Sequence, residues 1–417
     1  MKTKILFLFL LILMGQLCTE AKTRKALYVI IDGVAASFLE KTHTKNIFDI
    51  AAKGSYSHAF AGGKVGDITQ TPTISAIGYS NILTGTWMYK HNVQGNSDIK
   101  INYNYWSLFR IAKAQQRPVT TALFSSWTDN RKILIGENLP ETDHVKIDYV
   151  FDGYDLDPVN FPHKEHELHI YDIDSMVCMK AAECVRQNAP DLSWVYLWFV
   201  DDACHEKGYC QFSERYLHKE DRLLGEIWKA IQYREKNFDE EWLLILTTDH
   251  GREEQGFYHG GQTEEERGIW IVTNRRDMNA AWNSPSLSQV DINPSICHYM
   301  GFDIPQNVAW EQDGISFFGP TDIYDLRTIG YGNSVTLKWS VRKKAKTKAD
   351  IYIALTNNFK TGGKDQWIKV KTVNAADGET TIDLSKYHPT REFKFQVVTP
   401  HNRLTRWYQQ RTADFDY

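Results

Sequence analysis

The sequence is short of the features that define several protein classes. Beyond residues 5–14 no stretch approaches eighteen consecutive apolar residues, which argues against a chain that crosses a bilayer repeatedly. Cysteine (6 residues) and proline (12 residues) are sparse for 417 residues, which excludes disulfide-dense and collagen-like or polyproline scaffolds. Charge of one sign is also lacking: 48 Lys+Arg face 52 Asp+Glu, a formal net charge of −4, so a chain that binds nucleic acid over its whole surface is unlike this one. There is no internal repeat and no low-complexity segment. What is present is 42% apolar and 13% aromatic residues, ample for a packed core, at a length that suggests two or three domains.

The near-neutral total hides a partition. Residues 321–417 hold 17 Lys+Arg against 10 Asp+Glu, and residues 1–320 hold 31 against 42. At the N-terminus, Lys2 and Lys4 precede the ten-residue apolar run Ile5–Met14, the pattern of a signal peptide covering residues 1–21, with cleavage among Cys18–Ala21. The expected location is therefore periplasmic or extracellular. Cys178, Cys184, Cys204, Cys210 and Cys297 would remain. Export permits disulfides, and one bridge is expected among the first four of these, with Cys204–Cys210 the favoured pair.

Three apolar runs read as buried strands: Lys25–Ile31, Trp194–Val200 and Trp242–Thr247. Each delivers acidic or histidine residues at its C-terminal end: Asp32-Gly33, Asp201-Asp202 and Asp249-His250-Gly251. That is the edge where open α/β sheets hold their ligands. A helical stripe of Leu217, Leu224, Ile227, Trp228 and Ile231 runs through Glu214–Arg234. The alternation of buried strands and helices predicts a doubly wound α/β domain over residues 22–320. From about residue 325 the texture changes to short alternating strands (Ser334–Ser340, Asp350–Leu355, Glu392–Val398) divided by Gly, Asn and Pro turns. These and Trp339 resemble a fibronectin type III-like β-sandwich over 325–417. Its positive charge is either a solvated face or a contact for an anionic cell surface or glycan.

The polar residues at the strand ends are Asp32, Asp201, His205, Asp249, His250 and, shortly after, His259. A buried carboxylate needs a partner, and this Asp/His mixture suits two divalent cations of zinc type. Singly, each Asp is an ordinary helix cap; jointly, the pattern DxxxH followed by DHG and a later His favours metal. In Thr71–Asn96 (TPTISAIGYSNILTGTWMYKHNVQGN), residues Ala76–Leu83 are helix-compatible, so Ser75 stands at or near a helix N-terminus. It is either an N-cap or a nucleophile in a position that favours anions.

These motifs in this order resemble the alkaline phosphatase superfamily over about residues 25–320, most closely its type I phosphodiesterase / nucleotide pyrophosphatase branch. The carriers are Ile31-Asp32-Gly33, a hydroxyl residue nine positions before Thr84-Gly85, Asp201-x-x-x-His205, Asp249-His250-Gly251 and His259. The resemblance implies an alkaline phosphatase-like α/β/α sandwich with Ser75 as nucleophile. It also implies that Asn96, ending His91–Asn96, donates to a phosphoryl oxygen. One metal would be held by Asp201, His205 and His259, the other by Asp32, Asp249, His250 and Ser75. The implied reaction is in-line attack of Ser75 on phosphorus, a phosphoseryl intermediate, and hydrolysis by water, on a small-molecule phosphodiester or pyrophosphate rather than a nucleic acid polymer.

Departures from the superfamily's patterns shape the alternatives. Ser75-Ala76-Ile77-Gly78-Tyr79 lacks the Pro and Arg of the sulfatase C/S-x-P-x-R motif, which disfavours formylglycine chemistry, and serine replaces the branch's usual threonine. No Lys-x-Arg pair of the monoesterase kind stands between Asn96 and Trp194. A phosphomonoesterase, a sulfate or phosphonate ester hydrolase, and a non-catalytic surface- or glycan-binding relative are the competing readings. Trp106, Phe124, Trp127, Tyr149, Phe151 and Tyr154 serve either as substrate platform or as core. The acidic run Asp148–Asp157 is either a calcium loop or a solvated one. His163, His166 and His169, every third residue, are either a further metal site or exposed histidines.

Overall fold

The computed structural model describes residues 22–342, 347–387 and 392–410. The expected signal peptide, residues 1–21, lies outside them. A seven-stranded sheet is built from β1 (Thr23–Ile31), β2 (Ser55–Phe60), β3 (Thr121–Ser125), β4 (Tyr149–Phe151), β5 (Leu192–Leu197), β6 (Glu240–Thr247) and β7 (Gly268–Thr273), in the order β2-β7-β6-β1-β5-β3-β4. The β6-β1-β5-β3-β4 portion is parallel, and β7 runs against both of its neighbours.

Strand β1 shows why the sheet must be covered twice. Ala26, Tyr28 and Ile30 enter one apolar cluster while Leu27, Val29 and Ile31 enter the other, as the two-residue period of a strand dictates. The helices that matter here are α1 (Lys45–Lys53), α2 (Ser75–Thr84), α3 (Leu168–Gln187), α4 (Phe199–Lys207), α5 (Gln211–Asn237) and α6 (Ile292–Met300). Side chains of α2 and α6 cover the first face, and those of α1, α3, α4 and α5 cover the second. The expected stripe of α5 is buried, Leu217, Leu224, Ile227, Trp228 and Ile231 included. The α/β/α sandwich is as the sequence predicts.

One boundary differs. The apolar run Trp194–Val200 was expected to be strand throughout, yet β5 stops at Leu197 and Phe199 opens α4. The cause is Asp174 of α3, fully buried, whose carboxylate accepts the Trp198 N–H (3.0 Å) and the Phe199 N–H (2.7 Å). It satisfies the orphan donors of a helix start, so the chain turns into helix at the strand's end. Asp201 therefore sits in the first turn of α4, with His205 four residues on and on the same face.

The C-terminal region is a β-sandwich. Strands β8 (Ile323–Tyr331), β9 (Ser334–Val341) and β12 (Glu379–Asp383) form one sheet, ordered β12-β9-β8. Strands β10 (Lys348–Ala354), β11 (Ile368–Asn374), β13 (Glu392–Val398) and β14 (Arg403–Gln409) form the other, ordered β11-β10-β13-β14. Three strands packed on four, all antiparallel, is the fibronectin type III-like arrangement. Trp339 lies in its core and donates its indole N–H to the Ala375 carbonyl at 2.8 Å. The disulfide expectation is corrected: Cys178, Cys184, Cys204, Cys210 and Cys297 are all free thiols. Cys204 is fully buried on α4, whereas the Cys210 sulfur turns to Ser213 Oγ at 3.7 Å as part of the cap of α5.

A buried ionic seam joins sandwich to sheet domain. Lys394 of β13 pairs with Glu311 and, at 2.8 Å, with Asp365; Lys90 pairs with Asp313 at 2.8 Å and reaches the Glu311 carbonyl at 2.6 Å. All five side chains are no more than 3% exposed. Removing one partner from such a group leaves buried charge uncompensated, which costs about 3–5 kcal/mol. Lys394→Ala is therefore expected to lower the denaturant-unfolding free energy by about that amount, and the exposed-pair variant Lys229→Ala by less than about 1 kcal/mol.

Candidate active site

The three acidic strand ends converge because β6, β1 and β5 are adjacent and parallel. Asp32 follows β1 directly and its N–H is held by the Leu197 carbonyl of β5 at 3.0 Å. Gly33 follows in a left-handed conformation (φ 65°), and a β-carbon there would collide with the Asp201 carboxylate and the Arg252 guanidinium. The IDG glycine is thus needed for both its torsion and its lack of a side chain. Across the site, α2 presses on the loop after β6: a β-carbon at Gly78 would lie 2.8 Å from Asp249 Cβ.

Ser75 is the first residue of α2 rather than its N-cap, a position taken by Ile74, and Ser75 makes no capping bond. Its hydroxyl lies 3.2 Å from His250 Nε2. The same nitrogen lies 3.2 Å from Asp249 Oδ2, 3.4 Å from Asp32 Oδ1 and 4.0 Å from Asp201 Oδ1. On the other side His205 Nε2 lies 3.1 Å from His259 Nε2 and 3.2 Å from Asp201 Oδ2. All seven residues expected from the sequence, Asp32, Ser75, Asp201, His205, Asp249, His250 and His259, therefore meet in one place. Asn96, on the loop after α2, joins them at the cavity wall; its Oδ1 accepts the Ala76 N–H at 2.9 Å, which turns its amide N–H2 away from that bond. His91 shapes that loop by bonding Asn81 at 2.8 Å and accepting the Val93 N–H at 3.1 Å.

The residues fit divalent cations on three counts. Asp32 Oδ1 and Asp249 Oδ2 are buried with no hydrogen-bond partner, both facing His250. The Nδ1–H groups of His250 and His259 donate to the carbonyls of Gly251 (2.9 Å) and Thr73 (2.7 Å), leaving the His250 Nε2 lone pair aimed at the Asp32 and Asp249 carboxylates and that of His259 at His205. Lone pair against carboxylate is repulsive unless a cation lies between. The third count is electrostatic. Burial, then the charges of Asp249 and Asp201, pushes the Asp32 carboxyl far above the ordinary range; burial and Asp201 push Asp249 up to about 7. Burial and the neighbouring His259 hold His250 neutral, as a ligand must be. Two ligand groups stand within coordinating reach, Asp32/Asp249/His250 and Asp201/His250/His259, with His205 beside the second.

Three further residues complete the site. Tyr79 and Tyr196 both donate their hydroxyls to Asp32 Oδ2, Tyr196 at 2.7 Å, so one oxygen of Asp32 is tied and the other left free. Arg252 is fully buried, ion-paired to Asp201, and donates to the carbonyls of Gly33 (3.1 Å) and Phe257 (2.9 Å). Burial raises the Asp201 carboxyl, and the Arg252 charge together with His205, His250 and His259 outweighs it, holding the group below the ordinary range. Signals for all three were present: Tyr79 stands four residues after Ser75 on α2, Tyr196 interrupts a buried apolar strand with a hydroxyl, and Arg252 directly follows DHG.

A cavity of about 360 Å³ opens over Ser75, lined also by Trp127, Trp198, Asp202 and Asn96. Of the six aromatics singled out in the sequence only Trp127 reaches it. Phe124 is buried core, Phe151 stacks on it, and Trp106, Tyr149 and Tyr154 pack against the core from its rim. The acidic run does not converge on a cation: Asp148 pairs with Lys113, Asp152 with Arg131, and Asp155 caps Thr128.

Fold and site define a member of the alkaline phosphatase superfamily. Residues 26–265 match the type I phosphodiesterase / nucleotide pyrophosphatase family, and the chain belongs to it. A 126-residue stretch is 31% identical to GPI ethanolamine phosphate transferase 3 of Eremothecium gossypii; it covers 27% of this chain and only 12% of that relative. Among solved structures, a 2-O GAG sulfatase superposes with a TM-score of 0.51 at 11% identity, over 88% of this chain and 86% of its own. Murine ectonucleotide pyrophosphatase/phosphodiesterase 5 gives a TM-score of 0.45 at 14% identity, over 68% and 97%. No helix among the described residues is long and apolar enough to cross a membrane.

The raised carboxyls predict how chelated protein responds to pH. The folded Asp249 carboxyl titrates at about 7 against an ordinary 3.8, so between those values the folded state binds a proton that the unfolded chain does not. Stability then falls as pH rises through this window. Melting of chelator-treated protein across pH 4 to 8 is expected to show this decline, and addition of a divalent cation to remove it; a flat profile after chelation would contradict the electrostatic account.

Proposed function

We propose that the protein is an exported two-metal hydrolase of phosphodiester or pyrophosphate bonds, with Ser75 as nucleophile. The observation that carries the reading is the pair of unpartnered buried carboxylate oxygens, on Asp32 and Asp249, set around a histidine nitrogen that lies 3.2 Å from the Ser75 hydroxyl. Export is supported by the basic-then-apolar pattern of residues 2–14.

Cations of zinc type, held by Asp201, His205 and His259 and by Asp32, Asp249 and His250, would neutralise the acidic cluster, lower the Ser75 hydroxyl's pKa and balance charge on the phosphoryl oxygens. The chain's own residues do the rest. Ser75 Oγ, having given its proton to solvent, attacks phosphorus in line; its bond to phosphorus forms as the bond to the leaving oxygen breaks, the leaving group takes up a proton from solvent, and the phosphoseryl ester, still carrying the second substituent, is hydrolysed by water to the monoester and free Ser75. The start of α2 favours the anion through its N–H groups and dipole. Asn96, anchored through its Oδ1 on Ala76, offers its amide N–H2 to a non-bridging oxygen. Trp127 and Trp198 supply flat apolar walls for a substituent.

Preference for a diester over a monoester is supported by charge. Among the described residues the cavity lining contains Asp201 and Asp202 and no Lys or Arg, while Arg252 is already committed to Asp201. A diester group is a monoanion; a monoester carries a further negative charge that this wall does not answer.

The test compares kcat/KM on bis-p-nitrophenyl phosphate, p-nitrophenyl phosphate and p-nitrophenyl sulfate. The first is expected to exceed the others by about tenfold or more, about 1.4 kcal/mol of discrimination. Ser75→Ala is expected to retain metal and lose at least about a thousandfold in turnover, Asp249→Ala and His205→Ala to lose both, and Asn96→Ala to keep metal and lose about 10²–10³ in kcat. Unchanged hydrolysis by Ser75→Ala would overturn the mechanism, and fastest turnover of the monoester would overturn the substrate class.

A further inference from the structure

Outside the active site, one further group of ligand atoms converges among the described residues. His163 Nδ1 and His169 Nδ1 lie 3.3 and 3.5 Å from the same oxygen, Glu167 Oε2, and the three atoms fall within 4.8 Å of one another. These separations are long for N–H···O hydrogen bonds, which cluster at about 2.7–3.2 Å. They match instead the edge of a coordination tetrahedron: metal–ligand bonds of about 2.0–2.1 Å imply ligand–ligand edges of about 3.3–3.4 Å. The active site carries the same spacing, with 3.2 and 3.4 Å from His250 Nε2 to Asp249 and Asp32, and 3.2 Å from His205 Nε2 to Asp201. His169 Nδ1 is moreover buried and lacks a hydrogen-bond partner.

We propose that His163, Glu167 and His169 form an additional site for a zinc-type divalent cation, with water in the open fourth position. The inference is independent of the hydrolase reading. His166, the middle member of the His-x-x-His-x-x-His run, is not a ligand. Its ring turns the other way, bonds Glu206 at 2.7 Å and meets Phe212 edge-on. The reason is local backbone geometry: His166 (φ 58°) and Glu167 (φ 50°) are both left-handed, which sends His166 onto α4 and Glu167 back between the other two histidines. A cation there ties the 163–169 segment, and through His166 the C-terminal end of α4, into one unit. Helix α4 bears Asp201, Asp202 and His205 as well as Glu206, the partner of His166. The site therefore buttresses the wall of the catalytic cavity without touching substrate.

The test measures zinc bound per chain after equilibration with buffered zinc, in wild type and in His163→Ala, Glu167→Gln and His166→Ala. Because His163 is 74% exposed, its truncation leaves the fold intact. His163→Ala and Glu167→Gln are each expected to bind about one zinc fewer than wild type, and His166→Ala to bind as many as wild type. In an Asp249→Ala/His205→Ala background, which removes active-site ligands, zinc dependent on His163 is expected to persist, so loss of the hydrolase reading would not remove this one. Equal zinc content in wild type and His163→Ala, or equal loss in His166→Ala and His163→Ala, would overturn the proposal.

Discussion

The structure depends on one constraint: three carboxylates, Asp32, Asp201 and Asp249, are buried together at the ends of three neighbouring strands. Left alone they are penalised first by desolvation, and mutual repulsion compounds it. The fold answers each differently. Asp201 receives a permanent cation in Arg252, Asp32 receives two tyrosine hydroxyls on one oxygen, and Asp249 receives the Gly33 N–H at 3.0 Å. What these partners leave unsatisfied is one oxygen of Asp32 and one of Asp249, both pointing at the same histidine nitrogen. The protein thus satisfies every part of the carboxylate cluster except the part that a cation between Asp32, Asp249 and His250 would occupy.

That arrangement tolerates little freedom around it. Gly33 and Gly78 are close-approach glycines rather than hinges, each lying where a β-carbon would displace a site carboxylate or its backbone. Asp174 performs the corresponding task for α4 by ending β5 early. Its buried carboxyl, pushed up to about 6 mainly by burial, accepts two helix-start N–H groups. Had β5 continued through Val200 as its apolar sequence suggests, Asp201 and His205 would not share a helical face. The i,i+4 spacing of DxxxH becomes a ligand pair only because a residue on a different helix stops the strand.

This explains what was legible in the sequence. Strand ends, motif order and the helix after Ser75 are local patterns, and all eight residues singled out for the site come together. The exceptions were features set by long-range partners. Cys204 and Cys210 are six residues apart, yet one faces the core and the other caps α5, so proximity in sequence said nothing about pairing. Of the aromatic residues between Asn96 and Trp194 only Trp127 lines the cavity, and composition could not separate it from Phe124 one turn of chain earlier in β3. The histidine run reads as three equivalent residues, whereas two successive left-handed torsions divide it into ligand-like and bracing members. Tyr196 was visible as an anomaly, a hydroxyl inside an apolar strand, whereas Arg252 stands among the polar residues Asp249–Glu254 and only its burial in the fold marks it as a group that supports the site from behind.

The β-sandwich bears on the site through the same logic of buried charge. The Thr84-Gly85 turn that ends α2 is gripped from below: the Gly85 carbonyl accepts the N–H groups of Asp313 and Gly314, and Asp313 in turn holds the Trp87 N–H, the Tyr89 hydroxyl and Lys90. Glu311, two residues before Asp313, is the partner of Lys394 on β13. An unbroken set of buried polar contacts therefore runs from the sandwich through Glu311 and Asp313 to the C-terminal end of the helix whose first residue is Ser75. Since every residue of α2 is buried and Gly78 leaves no slack against Asp249, a shift at that end would be transmitted along a rigid rod of about 15 Å to Ser75. The sandwich is in this respect part of the scaffold of the site, because it fixes the far end of the helix that sets where Ser75 stands.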